Sequence, residues 1–466
     1  MIPKKSKAGY LHWARRNLTI RRPSRLQSDA FEGYNQPHFI VAISRMTPPL
    51  IKRHLEPRLR ESLEDSPVVL IQGSRQCGKT TLAQMVGKSG GFEYLSLDEE
   101  AVYRAAEDDP SGFVRDLPER VIIDEVQKAP RLLSAIKLAV DRNRTAGRFI
   151  LTGSVSILRL RRITDSLAGR MRIVNLHPFS QCELGRTAPA FLDALFAGDF
   201  TISRSATSGN GLVERIVRGG YPNAVGLPTE QRRMAWHRDY IESLVRRDVP
   251  DISGIRSLEA LSRLLSLAAV QTAQLLNTNS LAKSFQLSRT TIHDYLALLE
   301  AMFLVNRLPA WYHNRARRLV KTPKLHLSDT GIACALTDFN ASSLSEDRAA
   351  LGHFLETFVF QELRRQASAH EWRHAFSYYR DKDGAEADLV IERDAASLAG
   401  VEVKASATVS RADFTGLRRL RKIAGKRFKC GVLIYTGETC LPFGDDLYAV
   451  PAQSLWESGL GDGPPG

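Results

Sequence analysis

The sequence predicts an α/β protein whose first folded part is a parallel sheet, and three observations predict it. Apolar runs alternate with helix-forming stretches between residues 68 and 176. A glycine-rich loop, Gly73-Ser74-Arg75-Gln76-Cys77-Gly78-Lys79-Thr80-Thr81, follows the first run directly. An acidic pair, Asp124-Glu125, ends the third.

The first run is Val68-Val-Leu-Ile71, and the loop behind it has the form G-x-x-x-x-G-K-[ST]. Strand, loop and helix in that order make a P-loop, in which backbone N–H groups face phosphate. Lys79 is expected on the β- and γ-phosphates and the Thr80 hydroxyl on Mg²⁺. The helix from Thr81 directs its positive end at the same phosphates. Cys77 reads as a spectator thiol or a redox-sensitive one.

Further strands are expected at residues 92–97, 121–123, 149–151 and 172–176. Short apolar strands separated by helices form a sheet covered on both faces. Ligands of such sheets sit at the carboxyl ends of the strands. Asp124, at one such tip, is placed to hold Mg²⁺, and Glu125 to polarise an attacking water. Thr152 and Ser154, at the next, read as sensors of the γ-phosphate or as turn caps.

Composition admits a soluble globular chain. Of 466 residues, 43% are hydrophobic and 25% charged, an ordinary balance. No apolar run approaches the roughly eighteen residues of a membrane span, so no membrane partner is expected. Five scattered cysteines without a C-x-x-C and eleven unclustered histidines fit a reducing cytoplasm rather than a disulfide framework or a zinc site.

The formal charge is +14, and residues 1–45 carry half of it, with nine Lys/Arg against two acids. This segment lacks apolar periodicity and is expected to be a disordered extension. It reads as a nucleic-acid-binding arm, a targeting segment or a functionally neutral extension, and Met46 opens an alternative start.

The ordered motifs resemble the prokaryotic AAA-type P-loop ATPases that carry a C-terminal domain of unknown function with a nuclease-like fold. The landmarks are residues 73–81, Ile-Ile-Asp-Glu-Val-Gln at 122–127 and Leu-Thr-Gly-Ser at 151–154. Ser-Leu-Ala-Gly-Arg (166–170), Leu-His-Pro-Phe-Ser (176–180), Gly-Gly-Tyr-Pro (219–222) and Arg247-Asp248-Val249 extend the match. The resemblance covers residues 47–450 or so. It implies an ATPase that uses ATP and Mg²⁺, self-associates, and completes one subunit's site with a neighbour's arginine. Arg170 is the candidate, with Arg159, Arg161, Arg162 and Arg172 as competitors.

The organisation expected is therefore an AAA-type P-loop NTPase core at 46–180, a helical lid or adaptor at 181–265, a winged helix-turn-helix at 266–335, an α/β restriction-endonuclease-like domain at 345–455 and a tail at 456–466. In the lid, Met234, Ile241, Leu244 and Val245 share one helix face. In the third segment Leu281, Ala282 and Phe285 mark a short helix, and Ser288 caps a second that carries Ile292, Tyr295, Leu296 and Leu299 inward. A hairpin-like stretch from Leu304 to Leu327 holds Arg315, Arg317, Arg318, Lys321 and Lys324, a basic wing. One reading is DNA binding, with Arg289, Thr290, Thr291 and His293 in the major groove and the wing on phosphates. The other is packing within the chain or against a protein.

In the last segment Asp388 lies fourteen residues ahead of Glu402-Val-Lys404, behind a helix that contains Glu356. This resembles the PD-(D/E)XK nuclease fold. The resemblance implies Mg²⁺ on Asp388, Glu402 and Glu356, with Lys404 orienting the attacking hydroxide. The proline of the family's first motif is absent, because Ala387 precedes Asp388. Metal-dependent cleavage and an interaction module without cleavage both remain open.

Overall fold

Apolar runs become strands wherever a second strand can cover their polar backbone. The computed structural model describes residues 50–155, 167, 169–204, 211–252, 257–312 and 321–457. The basic extension 1–45, Arg159, Arg161, Arg162, Arg315, Arg317, Arg318 and most of the 456–466 tail lie outside the described residues. The chain divides into two units, and every helix and strand named here belongs to the second, Ile51–Gly466.

The first segment is built on a five-stranded sheet in the order β2-β3-β4-β1-β5. The strands are β1 (Val68–Gln72), β2 (Glu93–Ser96), β3 (Val121–Asp124), β4 (Phe149–Gly153) and β5 (Met171–Asn175). Every pairing is parallel. Side chains alternate between faces, so Val68, Leu70, Ile123 and Leu151 enter one hydrophobic cluster while Val69, Ile71, Ile122 and Ile150 enter another. The sheet is thus covered on both sides.

The middle of the chain is helical, as its pattern predicts. Helices Leu212–Arg218, Glu230–Ser243 and Leu258–Val270 dominate, and Leu244–Asp248 is a π-helical turn between two of them. A helix Thr278–Phe285 turns at Gln286, in the left-handed region, into a helix Arg289–Ala301 capped by the Ser288 hydroxyl. Strand β7 (Gln274–Leu275) precedes these two helices and β8 (Val305–Leu308) and β9 (Lys324–Leu327) follow them, together an antiparallel sheet in the order β7-β9-β8.

A long helix, Arg348–Ala369, leads into the last sheet. Its strands are β10 (Ala375–Arg380), β11 (Glu386–Glu392), β12 (Leu398–Lys404), β13 (Phe428–Tyr435), β14 (Thr439–Pro442) and β15 (Leu447–Pro451). A short strand of the middle segment, β6 (Ser203–Arg204), closes the edge, giving β10-β11-β12-β13-β15-β14-β6. The three later segments share one core, and the C-terminal sheet adds a second cluster that includes Tyr379, Val390, Leu417 and Leu433. One hydrophobic cluster runs from Cys182 and Phe191 through Tyr240, Leu265 and Leu299 to Val401 and Trp456.

Candidate nucleotide site and a carboxylate cluster

The phosphate loop is held open by its glycines and by close backbone packing. Gly78 caps the helix Lys79–Gly90 at φ 102°, a conformation suited to glycine. At Gly73 a Cβ would lie 2.0 Å from the Leu176 carbonyl oxygen, so no other residue fits. Lys79 is buried, with Nζ donating to the Ser74 carbonyl at 2.9 Å. Cys77 is buried and its thiol lies 3.4 Å from the Leu176 carbonyl.

Asp124 ends β3 beside this loop. The Thr80 hydroxyl is 3.0 Å from each of its carboxylate oxygens. Tyr94 donates to Oδ2 at 2.9 Å and the Thr152 hydroxyl to Oδ1. Burial and the Asp124 charge push the Tyr94 hydroxyl up to about 12, so it stays a donor. Glu125 is turned into the left-handed region at φ 58°. Its N–H donates to the Thr152 hydroxyl at 3.0 Å. Its carboxylate accepts from Ser154 Oγ at 2.8 Å and from Gln127. A buried lysine, a hydroxyl facing a carboxylate and a glycine-lined cradle fit a nucleotide with its Mg²⁺. Thr80 and Asp124 would hold such a metal, and Gly73 to Thr81 would hold the phosphates.

Several partners of this loop were not legible in the sequence, because they arrive from far along the chain. The Arg53 guanidinium donates to the Cys77 carbonyl at 2.8 Å and the His177 carbonyl at 2.5 Å, and pairs with Glu183 at 3.0 Å. The helical middle, which carried no assignable chemistry as sequence, touches the loop directly. Tyr240 donates its hydroxyl to the Arg75 carbonyl at 3.0 Å, Asp248 pairs with the Arg75 side chain, and Asn223 donates to Gln76 at 3.2 Å. The motifs at 176–180 and 219–222 are tied together through Asp329, which accepts from the Gly220 N–H at 2.8 Å and from Arg365 at 3.0 Å. Arg365 in turn reaches the Phe179 carbonyl at 3.0 Å.

Arg170 stands apart from its own phosphate loop. It precedes β5, whose Met171 pairs with Val68 at the amino end of β1, whereas the loop leaves the carboxyl end of β1 at Gln72. Its side chain bonds Asp141 at 2.5 Å. Any action on a phosphate would be on another subunit's.

In the C-terminal segment Glu356 and Asp388 do come together, but around a cation the sequence placed elsewhere. Lys324, expected on the basic wing, is the first residue of β9 and is buried. Its Nζ lies 2.8 Å from Glu356, 2.5 Å from Glu386 and 2.9 Å from Asp388. The other Asp388 oxygen accepts the Val403 N–H at 2.9 Å. Burial alone would lower the Lys324 pKa, but the Asp388, Glu356 and Glu386 charges outweigh it and hold the ammonium protonated. Burial, with repulsion from Asp388, raises both Glu356 and Glu402 well above the usual carboxylate range. Glu402 Oε2 has no hydrogen-bond partner. Lys404 pairs with Asp413 at 3.4 Å.

This corrects two expectations. Lys324 does not face solvent as a phosphate contact. The metal set Glu356, Asp388 and Glu402 is not assembled around a divalent ion, since an ammonium pairs with Glu356 and Asp388, and Glu402 is not among its partners. Among the described residues no group of three or more His, Cys, Asp or Glu side chains is placed to hold a metal. Nor is any helix there long and apolar enough to cross a membrane.

The class of the first segment follows from its geometry and from comparison. Residues 65–185 match the AAA domain family, in keeping with the P-loop and parallel sheet described above. Residues 209–343 and 351–455 match two domains of unknown function, DUF8612 and DUF4143. Across 416 residues, 88% of this chain and 86% of the relative, the sequence is 29% identical to the uncharacterized protein Rv2008c of Mycobacterium tuberculosis. It is 23% identical over 312 residues to the uncharacterized protein MJ1544 of Methanocaldococcus jannaschii, covering 64% of this chain and 67% of that one. Among solved structures, the Walker-type ATPase of Pyrococcus abyssi aligns with a TM-score of 0.39 and 17% identity, over 62% of this chain and 96% of its own. At that TM-score nothing about mechanism follows from the likeness.

Proposed function

We propose that this protein is a Mg²⁺-dependent ATPase whose nucleotide state is passed, through the helical middle, to modules that act on DNA. The observation that carries this reading is the facing of Thr80 and Asp124 at 3.0 Å beside the buried Lys79. In this reading Thr80 and Asp124 hold Mg²⁺, which neutralises phosphate charge. Lys79 and the loop N–H groups bind the phosphates, and Glu125 orients the attacking water. Arg170 serves a neighbouring subunit in an oligomer. The DNA-facing element is the helix Arg289–Ala301, which exposes Arg289, Thr290 and His293 at its start, where a winged helix meets the major groove. Lys79→Ala tests the core of the proposal. ATP binding and turnover should both be lost in that variant, and near-normal turnover would sink the assignment.

A second reading is an ATP-controlled switch for a protein partner, with the nuclease-like domain catalytically silent. The engagement of Glu356 and Asp388 by Lys324 favours it. Salt separates the two. DNA binding that falls steeply with salt means several phosphate contacts, and no binding at low salt leaves the protein partner.

A further inference from the structure

We infer that Lys324 is the resident cation of the Glu356–Glu386–Asp388 cluster: its ammonium takes the place a divalent metal would occupy and locks the three-stranded sheet onto the C-terminal domain. The inference does not depend on ATP hydrolysis or on DNA binding.

Three contacts set the geometry. The Nζ–oxygen distances of 2.8 Å to Glu356 and 2.9 Å to Asp388 are those of charge-assisted hydrogen bonds. An ammonium has three donors; two of them serve Glu356 and Asp388, and Glu386 adds a third negative charge as an ion pair. Glu356 comes from the long helix Arg348–Ala369, while Glu386 and Asp388 come from β11. One point charge therefore joins two elements of the C-terminal domain to a strand outside it.

The ammonium is delivered by a stiff support. β9 is the central strand of its sheet, paired on both sides. The same sheet is stitched to β10 at a second place. The Trp311 N–H donates to the Tyr378 carbonyl at 2.5 Å, and the Tyr378 N–H to the Pro309 carbonyl at 2.9 Å. The Tyr378 hydroxyl donates to the Thr322 carbonyl at 2.5 Å, two residues from Lys324. The cation cannot be withdrawn from the cluster by a shift of β9 alone, because the backbone beside it is fastened to β10.

A consequence separates a resident ammonium from a metal site in waiting. Carboxylates on a divalent ion and carboxylates on an ammonium use the same oxygens, so the two cations exclude each other. Removing the ammonium should uncover a divalent site that the native chain lacks.

The test is titration of the nucleotide-free full-length protein with Mn²⁺, in four forms: wild type, Asp388→Asn, Lys324→Met and the double variant. Wild type and Asp388→Asn should give the same Mn²⁺ isotherm. Lys324→Met should gain a site at least about tenfold tighter than any in the wild type, lost again in the double variant. Its melting temperature should fall without metal and recover with Mn²⁺, by mass action on the folded state. Two results overturn the inference. One is wild-type Mn²⁺ binding that Asp388→Asn abolishes. The other is a folded Lys324→Met that gains no Mn²⁺ site. If Lys324→Met does not fold, the wild-type and Asp388→Asn isotherms decide alone.

Discussion

Arg75 of the phosphate loop and Asp248 of a π-helical turn form an ion pair across 173 positions of sequence. A π-helical turn inside helical structure often marks a functional position. Here it lies between the helices Glu230–Ser243 and Val249–Ile252 and brings a carboxylate to the loop that cradles phosphate. Tyr240, two turns earlier, holds the carbonyl of the same residue. The helical middle is therefore in hydrogen-bond contact with the element expected to sense nucleotide.

The two contacts should differ in weight. The Arg75–Asp248 pair is partly exposed, and such pairs contribute about 0–1 kcal/mol. The Tyr240 hydroxyl is buried against the Arg75 carbonyl, and its loss should cost about 1 kcal/mol or somewhat more. Tyr240→Phe is expected to lower the unfolding free energy by that amount in urea titrations. Arg75→Ala should leave stability nearly unchanged and alter nucleotide affinity instead. Equal destabilisation by both would show that the loop is not anchored as described.

Glu125→Gln should separate binding from hydrolysis. The side chain keeps its shape and its hydrogen bond from Ser154 but loses its charge. A group that assists proton transfer typically contributes a factor of about 10²–10⁴. Turnover is expected to fall in that range with little change in ATP affinity, measured by steady-state hydrolysis beside a nucleotide-binding titration. Ser154→Ala, which only frees one Glu125 oxygen, should cost much less.

Gly73→Ala tests the cradle. The added carbon would meet the Leu176 carbonyl oxygen at 2.0 Å, and that oxygen belongs to backbone that follows β5. The loop must move, so nucleotide affinity should drop while circular dichroism retains the native helix content. An alanine variant with unaltered affinity would mean that the loop closes on nucleotide in another conformation.

Buried histidines should make the fold lose stability in mild acid. His237 is fully buried, and burial lowers its pKa even against the Asp329 charge. Burial, with the neighbouring His370, depresses His374 to about 4. Unfolded histidine titrates near about 6.5, so between these values the unfolded chain binds more protons. Stability then rises with pH and is lost as pH falls from about 6.5 towards 4. Melting temperatures across this window should decline with acid, and His374→Gln should flatten the slope.

What the sequence made legible is what short-range pattern controls. Residues 68–71 and 121–123 are aliphatic enough to be buried strands, and the glycines at 73 and 78 mark the tight loop between strand and helix. Ser288 announces the helix it caps. Long-range placement was not legible. Lys324 sits in a Lys-Leu-His-Leu alternation just after a basic stretch, so its polar face reads as solvent-facing. In the folded chain that face is covered by the helix Arg348–Ala369, where Glu356 takes the ammonium and Thr357 lies 3.1 Å from His326. No local signal distinguishes an inward lysine from its basic neighbours. The same holds for Tyr240 and Asp248, whose helix looks amphipathic and ordinary until the phosphate loop is set against it.

The common core that begins at Cys182 and ends at Trp456 bears on the order in which the chain can mature. The parallel sheet around the phosphate loop has its own clusters, all supplied before residue 177, and can condense while the ribosome is still at work. The helices after it must wait for apolar partners such as Val401 and Val450 that are synthesised last, because contacts of long sequence separation form slowly. A message truncated near β9 would therefore release a finished nucleotide-binding head trailing sticky, uncovered helices. Such a product is fit for a protease rather than for a partial function.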